Sequence, residues 1–326
     1  MMECAGNGRI LQTPRIRTSM PWSYEAIGCA TWTGTPLAGV LEEALLDADV
    51  VDLIFTGADP GVHKDTNGGL KMEEGYQRSL SVPDAMRQDV LLVYEMNGQL
   101  LLPQHGFPLR LLVPGWYGMA SVKWLVKIEA VKEAFLGYEM IAYRLKRSVT
   151  DEGEPVTRMK VRSLMIPPGV PEFFTRKRFV QPGKTITIVG RAWSGLADVV
   201  KVEFSSDGGQ TWQTAKLGER AGRHGWYKWE HEWTPARGRF LLVCRATNSL
   251  GEVQPDVAEW VFGGFAGNLW HRVEVLACDT SEVSGIVRSF TPAGNWDLVM
   301  KPNNNGDVMT SALPYTRAPF AQLHSD

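Results

Sequence analysis

The chain has 326 residues, 44% of them hydrophobic and 21% charged, enough for two domains of ordinary size with adequate cores. Its formal net charge of −2, with Lys and Arg scattered, gives no electrostatic case for a nucleic-acid partner. No apolar run approaches the roughly 20 residues of a membrane-spanning helix, so no membrane span is expected.

In chain order, Leu37, Val40, Leu41 and Leu45 follow Gly34-Thr35-Pro36 at helical spacing, which predicts an amphipathic helix over 36–47. Val50–Phe55 reads as a short buried strand ending in the loop Gly57-Ala58-Asp59. Val90–Glu95 and Leu109–Val113 read as further strands, with Asn97-Gly98 between them as a strong turn signal. Helix and strand without a regular βαβ repeat predict an α+β domain. After Pro167-Pro168-Gly169 the pattern changes to many short strands. Thr185–Val189, Val200–Ser205, Thr211–Ala215 and the apolar run Phe240–Ala246 are separated by turns such as Asp207-Gly208-Gly209. From Trp226 to Trp233 aromatic and charged residues alternate with the two-residue period of a strand, and the whole region predicts a β-sandwich. Pro302–Asp307 is loop by composition.

The four cysteines (Cys4, Cys29, Cys244, Cys278) form no CxxC pair, which argues against a zinc ribbon or iron–sulfur site and leaves up to two disulfides open. Cys244 reads as a small hydrophobe in a buried strand. Cys4 is different in context. The opening Glu3-Cys4-Ala5-Gly6-Asn7-Gly8-Arg9 sets a thiol before small residues, which allow close approach of a large planar ligand, and an arginine follows. Further on come Ala58-Asp59, Tyr94-Glu95-Met96-Asn97-Gly98, His105-Gly106-Phe107-Pro108-Leu109-Arg110, Pro114-Gly115-Trp116-Tyr117-Gly118 and Val122-Lys123-Trp124. In order and spacing, these segments resemble the C-terminal portion of the molybdenum-binding domain of the sulfite oxidase family. Gly190–Gly195, Ser206–Trp212, Gln254-Pro255 and Trp270-His271-Arg272-Val273 resemble the immunoglobulin-like dimerisation domain that follows it in that family.

The resemblance implies an α+β molybdopterin-binding domain over 1–150, an all-β immunoglobulin-like sandwich over 151–276, and an extension of unknown role over 277–326. It implies a molybdenum–molybdopterin cofactor with the Cys4 thiolate, a soft deprotonated donor, as metal ligand. Arg9 would form the positive pocket for an oxyanion, Trp22 would line it, and Tyr143 would stand near the metal's oxo group. Asp59, His105, Arg110, Ser121, Val122 and Lys123 would bind the pterin and its phosphate. Two departures weaken the case for sulfite itself: Gly8 and Gly263 stand where many members carry basic residues.

In the family the cysteine lies mid-domain, whereas only Met1-Met2-Glu3 precede Cys4, so the resemblance implies a domain truncated at its N-terminus, completed by a longer chain or a second one. The implied activity is that of a sulfite oxidase or sulfite dehydrogenase acting on a small sulfur oxyanion. Electrons would pass to a separate acceptor such as a cytochrome, and the protein would be a homodimer. The alternative is a non-catalytic truncated homologue that serves dimerisation. An immunoglobulin-like adhesion domain would account for the second half alone. The resemblance leaves the location open: the periplasm for a chain carrying an export signal, the cytoplasm otherwise.

Overall fold

In the computed structural model, residues 1–16, 20–64, 70–73, 75–172 and 176–279 are described. The expected loop at Pro302–Asp307 and nearly all of the expected C-terminal extension lie outside them.

Among the described residues, the first half is mostly sheet with three short α-helices. Strand Asp52–Gly57 lies between Leu125–Val131 and Gln77–Ser81, all antiparallel. Strand Leu91–Met96 lies between Arg110–Leu112 and Trp32–Pro36. Asn97 and Gly98, with φ of 54° and 74°, turn the chain back onto the short strand Gln99–Leu100. The Asn-Gly signal therefore makes a two-residue hairpin, and Arg110–Leu112 joins the same sheet from a separate loop. Helix Leu37–Glu43 is shorter than its periodicity predicts. Its buried face is Leu37, Ala38 and Leu41, whereas Leu45 is 84% exposed at a φ of 54° and stops the helical backbone. Leu37, Leu41, Leu53, Phe55, Leu80 and Leu111 form the core of this half.

The second half is a sandwich of two sheets. One has the order Arg162–Met165, Ile186–Trp193, Tyr227–Trp233, Lys216–Arg220. The other has six strands, with Gly238–Asn248 between His271–Ala277 and Val199–Ser205. The alternation read from the sequence holds: Trp229 and Trp233 are buried between the sheets with Phe204, Ile188, Leu242 and Cys244. Gly190 has no room for a side chain, because a Cβ would come within 2.2 Å of the Trp229 indole. All four cysteines are free thiols, and Cys244 is the buried hydrophobe expected. No helix among the described residues is long and apolar enough to cross a membrane.

A third apolar cluster decides where the two halves meet. Met1, Ala5 and Tyr117 from the first half pack with Val156, Met159, Trp193 and Ala266. The Cys4 loop is therefore a structural part of both halves.

Candidate functional site

Strand Met2–Glu3 pairs with Ile27–Gly28 and delivers Cys4 into a tight turn. The Cys4 amide donates to the Ala26 carbonyl at 2.9 Å, and the Cys4 carbonyl accepts from the Asn7 amide at 2.9 Å. Asn7, buried, ties the turn shut. Its Nδ2 donates to Glu3 Oε1 at 2.9 Å and its Oδ1 accepts from the Ala26 amide at 3.2 Å. Gly8 takes a left-handed φ of 88°, and a 3-10 turn, Arg9–Leu11, follows. The missing side chain of Gly6 makes room for Arg9, whose Nη2 would lie 2.0 Å from a Cβ there. The Arg9 guanidinium also stacks 5.2 Å from the centroid of the Phe265 ring. Small residues in this loop thus admit the arginine.

Cys4 opens on a cavity of about 380 Å³, a size typical of cofactor pockets. Besides Cys4, it is lined by Met2, Glu3 and Ala5 of the same segment, by Asp59, Tyr76 and Tyr143, and by Gly118, Met119, Ser121, Val122 and Lys123. Asp59 Oδ1 is buried there without a hydrogen-bond partner. Among the described residues no three His, Cys, Asp or Glu side chains cluster as a metal cage. A lone thiol on a roomy cavity, also lined by a carboxylate whose Oδ1 lacks an N–H donor, fits a metal carried by an organic group rich in N–H.

Each wall residue is held by its own element. Ser121 Oγ accepts from the Val113 amide at 3.1 Å, and the Val122 carbonyl accepts from the Leu111 amide at 2.8 Å. Lys123 Nζ donates to the Gln104 carbonyl at 3.0 Å and sits 4.1 Å from the Trp124 ring centroid. Burial, then the nearby Arg110 charge, lowers the Lys123 pKa, while Asp59 opposes the shift. Tyr143 caps helix Tyr138–Ala142, and its phenol is pushed upward by burial first and then by Glu139 and Cys4, against the pull of Arg9 and Arg78. Tyr143 therefore keeps its proton at neutral pH, and Arg9 lies within electrostatic reach of it.

The signature of the oxidoreductase molybdopterin binding domain matches residues 1–139, and that of the Mo-co oxidoreductase dimerisation domain matches residues 154–278. The chain belongs to the sulfite oxidase family. It is 34% identical over 297 residues to mitochondrial sulfite oxidase of Homo sapiens, across 84% of this chain and 51% of that protein. It is also 32% identical over 302 residues to the NAD(P)H nitrate reductase of Hordeum vulgare, across 84% of this chain and 33% of that one. The chain thus spans about half, or less, of the length of these curated relatives. The fold resembles the crystal structure of the sulfane dehydrogenase SoxCD from Paracoccus pantotrophus, with a TM-score of 0.69 at 24% identity, covering 86% of this chain and 70% of that one. The family's cofactor is molybdenum bound by molybdopterin.

Of the residues that the sulfite oxidase resemblance singles out, the structure brings Cys4, Asp59, Ser121, Val122, Lys123 and Tyr143 to one cavity. Arg9, Arg110, His105 and Trp22 are not among its lining residues. The Arg110 guanidinium is 4% exposed and donates to the carbonyls of His105 at 2.9 Å and Ser121 at 3.1 Å. It stacks 5.0 Å from the Trp32 ring centroid, and burial lowers its pKa to about 10. These contacts are internal, so Arg110 braces the loop that carries Ser121 to Lys123. His105 takes part through its carbonyl, at the end of the 3-10 turn Pro103–His105. Trp22 is 37% exposed, and its carbonyl accepts from the Ile10 amide.

Two residues at the site carry no motif. Tyr76 Oη donates to the Met119 carbonyl at 2.8 Å and fixes the cavity wall. Arg78, buried, donates to the carbonyls of Glu139 at 2.6 Å and Val156 at 3.3 Å, with Tyr143's ring centroid 5.9 Å away. The strand that carries Arg78, Gln77–Ser81, is polar apart from Leu80, so nothing local in the sequence marks Arg78 as buried.

Proposed function

We propose that this chain holds the molybdenum cofactor through Cys4 and acts as an oxidoreductase of the sulfite oxidase or sulfite dehydrogenase type. It moves an oxygen atom onto a small sulfur oxyanion and passes two electrons to a separate acceptor. The observation that carries this reading is the cavity that Cys4, Asp59 and Lys123 line together, which brings a thiol, a carboxylate and an ammonium to one space. When bound, the cofactor supplies a two-electron redox centre competent for oxygen-atom transfer.

The chain's own groups do the rest. Cys4 supplies a thiolate donor, Asp59 accepts from pterin N–H groups, and Lys123 offers a partly desolvated ammonium. Ser121 and Val122 present the wall that Arg110 braces from behind. Arg9, buried against Phe265 and within electrostatic reach of Tyr143, lends the pocket a positive charge. Tyr143 holds a proton on Oη at the cavity and can donate a hydrogen bond there. Oxidation of sulfite to sulfate takes up one water and releases two protons with the two electrons, so a protonated phenol beside the pocket suits proton traffic. The sandwich, matching a dimerisation domain, serves a homodimer.

The test is to express the chain in a host that makes the cofactor, measure molybdenum per chain, and follow sulfite-dependent reduction of cytochrome c or ferricyanide. Metal near one per chain, with sulfite turnover lost in Cys4→Ser, supports the reading. Reduction of nitrate in place of sulfite oxidation refutes the substrate class. A chain that takes up no metal is the non-catalytic homologue.

A further inference from the structure

The carboxylate next to Cys4 in sequence is the most deeply buried acid of the site. Glu3 is 1% exposed and its two oxygens are both claimed. Oε1 accepts from Asn7 Nδ2 and from Arg162 Nη1, each at 2.9 Å, and Oε2 accepts from Trp193 Nε1 at 2.8 Å. Arg162 and Trp193 are cross-strand neighbours in the sandwich and are themselves 2% and 1% exposed. Arg162 Nη1 also donates to the Asn7 carbonyl at 3.1 Å, so one guanidinium grips both ends of the cysteine turn. Gly8 is the residue that lets it in: a Cβ there would lie 2.8 Å from Arg162 Nη2. The Ala266 amide donates to the Ala5 carbonyl at 2.7 Å and adds a second tie from the same half.

We propose that the Glu3–Arg162 ion pair is a positioning device through which the β-sandwich holds the Cys4 thiol at the cavity. The sandwich thereby completes the metal-binding loop. An uncompensated carboxylate at 1% exposure is costly, and it would stand one residue from a ligand that must itself be an anion. Arg162 cancels the carboxylate's charge, and its Nη1 alone bridges Glu3 Oε1 and the Asn7 carbonyl, which ties the two ends of the turn to one atom. Trp193 and Asn7 add a hydrogen bond to each carboxylate oxygen, which helps the buried pair hold its shape. The claim that the held thiol serves as a metal ligand rests on the function proposed above; the claim that the pair holds the thiol does not.

The full chain is made in one host that synthesises the cofactor and in one that does not. Cofactor-free protein is treated with iodoacetamide, and alkylation is followed at each cysteine by peptide mass spectrometry. Cys244, buried in the sandwich core, reports unfolding of that half. Arg162→Met is expected to raise the Cys4 rate by about tenfold or more through local opening, with the Cys244 rate unchanged. Molybdenum per chain in the other host is expected to fall in parallel. Arg162→Lys keeps the charge but not the planar guanidinium that sets Nη1 between Glu3 and Asn7, and it carries the test if the first variant does not fold. It should raise the Cys4 rate by a smaller factor, again without moving Cys244. A Cys4 rate equal to wild type in both variants overturns the proposal, and so do Cys4 and Cys244 rates that rise together. Wild-type protein that takes up no molybdenum refutes the cofactor reading alone, because the alkylation rates still decide the positioning role.

Discussion

Acid should weaken this fold in part through one buried imidazole. His271 is 6% exposed, its Nδ1 accepts from the Met165 amide at 3.0 Å, and its ring meets Tyr24 edge-on at 4.3 Å. Only an imidazole unprotonated at Nδ1 can accept that bond. Burial, and then the nearby Arg162 charge, pushes the folded pKa down from 6.5 to about 3. The folded value lies below the unfolded one, so the unfolded chain binds the extra proton. The contribution is whole above pH 6.5 and is lost as pH falls toward about 3. At pH 5 the unfolded state gains a factor of about thirty, or about 2 kcal/mol, relative to pH 8. The assay is urea unfolding at pH 8, 6.5 and 5 for the wild type and for His271→Asn, whose Oδ1 keeps an acceptor near the Nδ1 position. The variant has a constant offset from lost packing, and carboxylates titrate alike in both proteins. The difference between their pH slopes therefore isolates the imidazole. Parallel slopes from pH 8 to 5 would refute the reasoning.

The same physics separates two groups of the candidate site. Asp59→Ala should lower molybdenum per chain severalfold while leaving the melting temperature unchanged or higher, since Oδ1 has no partner in the chain to lose. Arg110→Met should do the opposite first. It strands the buried carbonyls of His105 and Ser121, at a cost of about 2–4 kcal/mol in urea unfolding, with cofactor loss as a consequence of the loosened wall.

The sequence alone determined the local devices and their order. Strand Asp52–Gly57, the Asn97-Gly98 hairpin, the alternating strand Tyr227–Trp233 and the cysteine turn are all set by residues close together in the chain, where periodicity and turn chemistry act. The resemblance of the ordered motifs to one family was legible for the same reason, because spacing along the chain is all that it requires.

The tertiary structure decided which partner each buried polar group takes. Arg110 sits within a motif associated with cofactor binding, yet its donors are spent on carbonyls at 105 and 121 that come close only once the loop folds. Glu3 and Arg162 are 159 positions apart, and neither carries a local signal that predicts the other. Arg78 and Tyr76 reach the site the same way, through carbonyls on other elements. A buried donor must find an acceptor, but the rule does not say which one. That choice belongs to the packing of the two halves around the Cys4 loop.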